Sequence, residues 1–201
     1  TDTAPVSTTT PLGNSVTNQA NLTGLTDATV YYFWVRSNCG VDGVSFWVGP
    51  LIFNTAQIPA NLPYYEHFDG TNSNFTFNNG TQPNQWVVGG ATFNSPSQSL
   101  YISQDEGVTN SYGGTVSTTQ AYRDVQMPAG NLGQLHLSFD WKGVGETNLD
   151  YMRVWIVPVS YTPTAGNQIT SGAGRMQIGT NFGGQNAWKT ENYVFNAPVS
   201  W

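Results

Sequence analysis

Between residues 135 and 142 apolar and polar side chains alternate without a break. Leu135, Leu137, Phe139 and Trp141 stand against His136, Ser138, Asp140 and Lys142. A period of two marks a strand with one buried and one wet face. The same alternation runs through 31–36, with Tyr31, Phe33 and Val35 on one face and Tyr32, Trp34 and Arg36 on the other. A turn is expected at Cys39-Gly40-Val41-Asp42-Gly43, followed by a strand over 46–54 that Gly49-Pro50 interrupts. Proline inside a strand points to an edge position or a bulge. Further strands are expected at 85–88, 99–103, 119–125, 152–157 and 188–195, between loops rich in Gly, Asn, Ser and Pro. The pattern predicts an all-β chain, and many strands with turn signals between them predict a sandwich or jelly roll.

Composition supports that reading. The residues that build long helices are scarce, while Val, Thr, Tyr, Phe and Trp are plentiful and 22 Gly and 11 Pro punctuate the chain. Only 9% of residues are charged, against roughly 25% in ordinary soluble domains. Thr, Ser, Asn, Gln and Gly take their place, so the polar surface is built from hydroxyls and amides. Aromatics at 13% argue against disorder. The net charge of −6 and six scattered basic residues make a nucleic-acid partner unexpected. No stretch reaches the ~20 apolar residues of a helical membrane span. No leader-like segment stands at residue 1, as expected of a mature or internal fragment. Cys39 is the only cysteine and is read as a small buried thiol; a disulfide framework or cysteine-based zinc site within the chain is excluded.

The first 57 residues carry a recognisable order. Leu25, Thr29 and Tyr31 precede the first strand, and Trp47, Gly49-Pro50, Phe53 and Thr55 follow the loop. This arrangement resembles the second half of a fibronectin type III domain. The resemblance implies a tyrosine corner, in which the Tyr31 hydroxyl satisfies upstream backbone. Asp27 replaces the proline usual at its position. Val35-Arg36-x-x-Cys39-Gly40 is similar to modules of secreted Bacteroidetes proteins. A complete sandwich of this kind needs about seven strands, so the protein is expected to continue upstream. Residues 58–63 are then expected to be a short, semi-rigid linker whose prolines favour extended backbone.

The region 64–201 resembles the jelly-roll, MAM-like modules of Bacteroidetes surface proteins, which include gingipain-type cleaved adhesin domains. The resemblance rests on several pieces in order: Tyr65-Glu66-x-Phe68-Asp69, Asn84 to Gly89, Ser99 to Ser103, Leu137 to Glu146, Asp150 to Val154, and Trp188-Lys189-Thr190. Such modules end with further strands, so a truncation near Trp201 is expected. The resemblance also implies a structural calcium, with Glu66 and Asp69 as its ligands. The neutral run 72–80, in place of an acid-rich loop, weakens such a site.

Catalysis is not expected. Asp105, Glu106, Asp140, Glu146 and Asp150 are the acids best placed for paired-carboxylate hydrolysis, yet they read as solvated or loop-capping groups. His67 and His136 lie in no motif, and neither a nucleophile elbow nor a zinc-protease helix is present. Trp34, Trp86, Tyr112, Tyr122 and Trp155 are candidates for stacking on sugars, with core and cross-strand packing the plainer role. Asp2-Thr3-Ala4 resembles a Bacteroidetes O-glycosylation motif, and Asn21-Leu22-Thr23 reads as a sequon. The chain is therefore expected to be a non-catalytic segment of a large secreted adhesin or surface filament protein, exported by a type IX-like route. Its expected partners are neighbouring domains, surface glycans or proteins. The alternative is an accessory module of a secreted hydrolase.

Overall fold

A computed structural model of the chain describes residues 3–127, 133–146 and 148–196. Asp2 and the expected ending near Trp201 lie outside them. The fold is all-β: strands make up 38% of the described residues, and among these no helix reaches seven residues. Two compact units divide it, Thr1–Ile58 and Pro59–Trp201.

In the first unit β1 (Val30–Val35) pairs antiparallel with β2 (Val48–Asn54). The register sets Tyr31 opposite Phe53 and Phe33 opposite Leu51, then shifts before Val35 meets Val48. Gly49 and Pro50 thus face Trp34 together as a bulge, the outcome the interrupting proline announced. Only glycine fits there: φ is +146°, and a Cβ would lie 2.7 Å from the Phe33 carbonyl oxygen and 3.0 Å from the Trp34 ring. Tyr31 stacks on Phe53 with centroids 5.7 Å apart, and its hydroxyl accepts a hydrogen bond from the Thr26 amide at 2.8 Å. The Thr55 hydroxyl ties the same corner, donating to the Thr26 carbonyl at 2.6 Å and accepting from the Thr29 amide at 2.9 Å. Burial is thin: Val48, Leu51 and Ile52 are 67%, 66% and 58% exposed. Cys39, expected to be buried, is exposed. It lies on the 3-10 turn over Gly40–Asp42, where its amide donates to the Gly43 carbonyl at 2.8 Å, and a turn offers no sheet face to bury a thiol.

Among its described residues the second unit holds ten strands. They are β3 (Ala60–Asn61), β4 (Thr76–Asn78), β5 (Gln85–Gly89), β6 (Ser99–Ser103) and β7 (Gln120–Tyr122). After them come β8 (Val125–Gln126), β9 (Gln134–Gly143), β10 (Met152–Ile156), β11 (Met176–Phe182) and β12 (Gln185–Asn196). They pair as two-stranded ladders: β4 with β7, β5 with β6, β9 with β12 and β10 with β11 antiparallel, and β3 with β8 parallel. Two differences from the sequence reading stand out. Residues 119–125 form two strands, separated at Arg123 and Asp124, where one was expected. The 58–63 stretch, expected as a linker, carries β3, whose Ala60 is buried and faces Val125.

The long β9–β12 ribbon follows the alternation read from the sequence. Leu135, Leu137, Phe139 and Trp141 turn inward while His136, Ser138 and Asp140 face water. Phe139 and Trp141 meet Phe182 of β11 edge-on at 5.4 and 5.2 Å, and Tyr193 of β12 closes the group at 6.2 Å from Phe139. Phe182, 4% exposed, is the hub of this apolar core. Edge-to-face aromatic packing adds to what burial of the rings already contributes.

Apart from Ala60, Tyr101, Pro163 and Ile178, the described residues buried elsewhere in this unit are polar. Asn84, Thr76, Ser99, Ser103 and Gln120 are buried. The Asn84 amide donates to the Gly113 and Thr115 carbonyls at 3.3 and 3.1 Å and to the Ser117 hydroxyl at 2.7 Å, and accepts from the Gly113 amide at 2.9 Å. Asn79 pairs both ways with the Trp86 backbone, as a neighbouring strand would. Gln120 and Asn78, opposite each other on β7 and β4, share a 3.1 Å bond and hold the loop at Pro163, Thr164 and Asn167 through its carbonyls.

Phe182→Ala should lower unfolding free energy by about 3–4 kcal/mol in urea denaturation, because it opens a cavity among three rings. Val194→Ala, on the exposed face of the same ribbon, should cost less than about 0.5 kcal/mol. Asn84→Ala should cost about 2–3 kcal/mol by stranding the backbone groups of the 113–117 loop; a cost below about 0.5 kcal/mol would show that water replaces the amide there.

Candidate functional site

The expected calcium ligands lie on the turn that leads toward β4. Glu66 accepts the Phe68 amide on Oε1 at 2.6 Å and the Tyr64 hydroxyl on Oε2 at 3.1 Å. Burial first, then the Glu66 charge, raises the Tyr64 hydroxyl above its ordinary pKa, and the Arg123 guanidinium lies 5.7 Å over the Tyr64 ring. Asp69 accepts the Ser97 and Gln98 amides on a single oxygen, the second at 3.0 Å, and so fixes the loop before β6. Each carboxylate thus has its own set of N–H or O–H donors and its own turn to hold. Calcium takes six to eight oxygens, and among the described residues no group of three or more His, Cys, Asp or Glu is placed to hold a metal.

Beside Asp69 lies a shallow depression of about 310 Å³. Gly70, Thr71, Asn72, Ser73, Phe77, Val88 and Gln98 line it. None of its lining residues titrates between pH 4 and 9. Such a surface can hydrogen-bond a neutral polar group but cannot relay a proton.

Three of the remaining candidate acids, Asp105, Asp140 and Asp150, are also engaged as acceptors. Asp140 accepts from Thr190 Oγ1 at 2.5 Å and from Asn94 Nδ2 at 2.7 Å, which in that order hold its carboxyl below the usual range. Asp150 accepts the Glu146 amide at 2.8 Å and the Tyr112 hydroxyl at 3.0 Å, closing the turn after β9. Asp105 is the most heavily bonded. It accepts from Ser103 Oγ at 2.6 Å, from the Thr109 amide at 2.9 Å and from Thr109 Oγ1 at 2.7 Å, and these bonds pull its pKa down to about 2. Ser103, 1% exposed, passes the support on by accepting the Gly107 amide at 2.9 Å. Glu106 and Glu146 are exposed, as are His67 and His136.

The five candidate sugar-stacking aromatics occupy separate elements, and no ring contact among the described residues joins any two of them. Trp34 buries its indole N–H in the first unit. Trp86 donates to the Thr119 carbonyl at 3.2 Å, and Tyr112 donates to the Val144 carbonyl at 3.0 Å. Tyr122 and Trp155 are half-buried on β7 and β10. Asn21 and Thr23 of the sequon are exposed.

The sequence reading missed a second cluster. Tyr151 and Arg153, two residues apart and so on one face, meet Gln168 from the following loop and Asn181 from β11. The Tyr-x-Arg spacing was the available signal; its partners, 15 and 28 residues further on, were not readable.

No family model, no curated protein and no solved structure matches this chain.

Two outcomes test this geometry. Asp105 has a folded-state pKa below the ordinary 3.8, so its support for the 103–111 loop is complete above that value and is lost as pH falls toward about 2. In an NMR pH titration the Thr109 amide shift should move with a midpoint near 2 and lose that transition in Asp105→Ala; a midpoint near 3.8 would mean the bonds are not formed. The calcium expectation at Glu66 and Asp69 is tested by melting: a melting temperature that EDTA lowers and Ca²⁺ restores would bear it out, and one that neither changes would end it.

Proposed function

We propose that this chain is a non-catalytic segment of a large secreted surface protein, an adhesin or filament component exported by a type IX-like route. In this reading the first unit is the second half of a fibronectin type III domain, and the second is a jelly-roll, MAM-like module. One observation carries the non-catalytic reading: Asp105, Asp140 and Asp150 each spend their carboxylates on hydroxyl, amide and backbone donors of nearby loops. General acid–base work needs a carboxyl that can exchange a proton near the working pH. Asp105 and Asp140 are pulled the other way, toward permanent ionisation. The tyrosine corner at Tyr31 and Thr26 supports the fibronectin-like assignment of the first unit. The amide- and hydroxyl-rich surface suits weak, polar, wet contacts repeated along a multidomain protein, where effective concentration supplies avidity.

The reading is tested on intact cells of the source organism. Antibody raised against the segment should label unpermeabilised cells, and brief protease treatment should release the antigen. Antigen confined to the soluble interior of the cell would overturn it. Purified segment attached to a hydrolase in the same secreted polypeptide would instead identify the accessory-module alternative.

A further inference from the structure

The cluster around Arg153 lies at the surface and presents more hydrogen-bond donors than acceptors to solvent. Arg153 donates through Nε to Asn181 Oδ1 at 2.8 Å, through Nη1 to Gln168 Oε1 at 3.1 Å and through Nη2 to the Tyr151 hydroxyl at 3.3 Å. Gln168 Nε2 donates to that same hydroxyl at 3.3 Å. A guanidinium can only donate, so it fixes both amide oxygens toward itself. Each of those amide oxygens keeps one lone pair, but both are turned toward the guanidinium and the amide N–H groups are turned away from it. Among the described residues no acceptor meets the other two guanidinium N–H groups, the Tyr151 O–H, the Asn181 amide hydrogens or the second Gln168 amide hydrogen. Among the described residues no carboxylate stands within ion-pair reach of Arg153 either, although the chain is acidic overall.

Local backbone geometry builds this arrangement. Met152 faces Phe182 and Val154 faces Ile178, so Gly179, Thr180 and Asn181 bulge opposite Arg153 alone. Bulges re-aim side chains, and this one brings Asn181 to the guanidinium. Gly179 permits it: φ is +67°, and a Cβ would meet the Tyr193 hydroxyl at 2.5 Å and the Phe182 ring at 2.8 Å. On its flat side Arg153 lies 4.8 Å over the Tyr151 ring, which restricts its rotamers further. The guanidinium is held in place before any ligand arrives, which reduces the ordering cost of binding.

We propose that Arg153, Tyr151, Gln168 and Asn181 form a binding site for the carboxylate of an acidic sugar, such as one residue of a polyuronate. A carboxylate is acceptor-only and matches the guanidinium fork. The leftover hydroxyl and amide donors flank that fork and need further acceptor oxygens close to the carboxylate, which the ring and hydroxyl oxygens of a uronate supply. An acidic peptide carries its carboxylate on a flexible stem and brings N–H donors with it, a poorer match to a donor-rich surface. The site does not rest on the surface-protein reading and would hold equally in an accessory module.

The test is an NMR titration of the whole chain with a pentameric oligogalacturonate at neutral pH. Expected is saturable binding with Kd on the order of 1 mM, with shifts centred on Tyr151, Gln168 and Asn181. The fully methyl-esterified oligomer should not bind. Arg153→Gln should weaken binding by about tenfold or more, while Arg175→Gln should leave it unchanged; Arg175 lies over Tyr161 and donates to a backbone carbonyl instead. The methyl-ester comparison uses the unaltered chain, so it decides the matter even if Arg153→Gln fails to fold. Absence of shifts at the three residues, equal binding of the ester, or equally tight binding of pentaglutamate would each overturn the proposal. None of these outcomes bears on surface labelling, so the two readings can fail separately.

Discussion

Short strands leave much backbone without a strand neighbour, and the side-chain amides of this protein take the neighbour's place. Its ladders are two-stranded, and several are only two or three residues long. Each ends in loops whose N–H and C=O groups still require partners when they are covered. Asn84, Asn79, Gln120 and Asn78 supply them, each offering donor and acceptor from one planar group. The polar interior follows from this constraint, as does the unusual composition. An amide can be buried without an ionic desolvation cost, provided it is fully bonded.

The charged residues obey the same economy of partners. Five of the six Lys and Arg side chains lie over an aromatic ring: Arg36 on Trp47, Arg123 on Tyr64, Lys142 on Trp188, Arg153 on Tyr151 and Arg175 on Tyr161. The sixth, Lys189, pairs with Glu191 at 2.7 Å. Acids hold turns, while cations rest on rings. Arg36 illustrates how one cation organises a segment, donating to the Ser7 and Thr9 carbonyls while covering Trp47, whose own N–H reaches Val6.

How much of this was legible depended on range. The alternation of 135–141 foretold both the strand and its inward face, and Gly49-Pro50 foretold a bulge, because strand periodicity and proline chemistry are local. Residues 99–103 form the expected strand, but its buried face carries Ser99, Tyr101 and Ser103 while Leu100 and Ile102 are only half-buried, an inversion that no apolar count foretells. The strand at Ala60 was not legible: its flanking prolines favour extended backbone, and only the distant Val125 turns that into a pairing. Cys39 was misread because its small apolar side chain outweighed the turn glycines, Gly40 and Gly43, that follow it. That Glu66 and Asp69 draw donors from different segments, near 68 and near 97, was not legible either, because the second segment lies about 28 residues on. The Arg153 cluster stayed hidden because Asn181 reaches it through a bulge that no periodicity encodes.

The register of β9 and β12 has a mechanical side. Gln134, where the chain enters the ribbon, stands opposite Asn196, the last residue of β12. Tension drawn along the backbone through these two ends meets one rung of the ladder at a time, so the ribbon peels open like a zip. Were the ends at opposite extremes, all the rungs would share the load in shear. The apolar hub at Phe182 lies toward the far end of this ribbon, near Trp141 and Gly143. It would be the last part of the ribbon to feel such a pull.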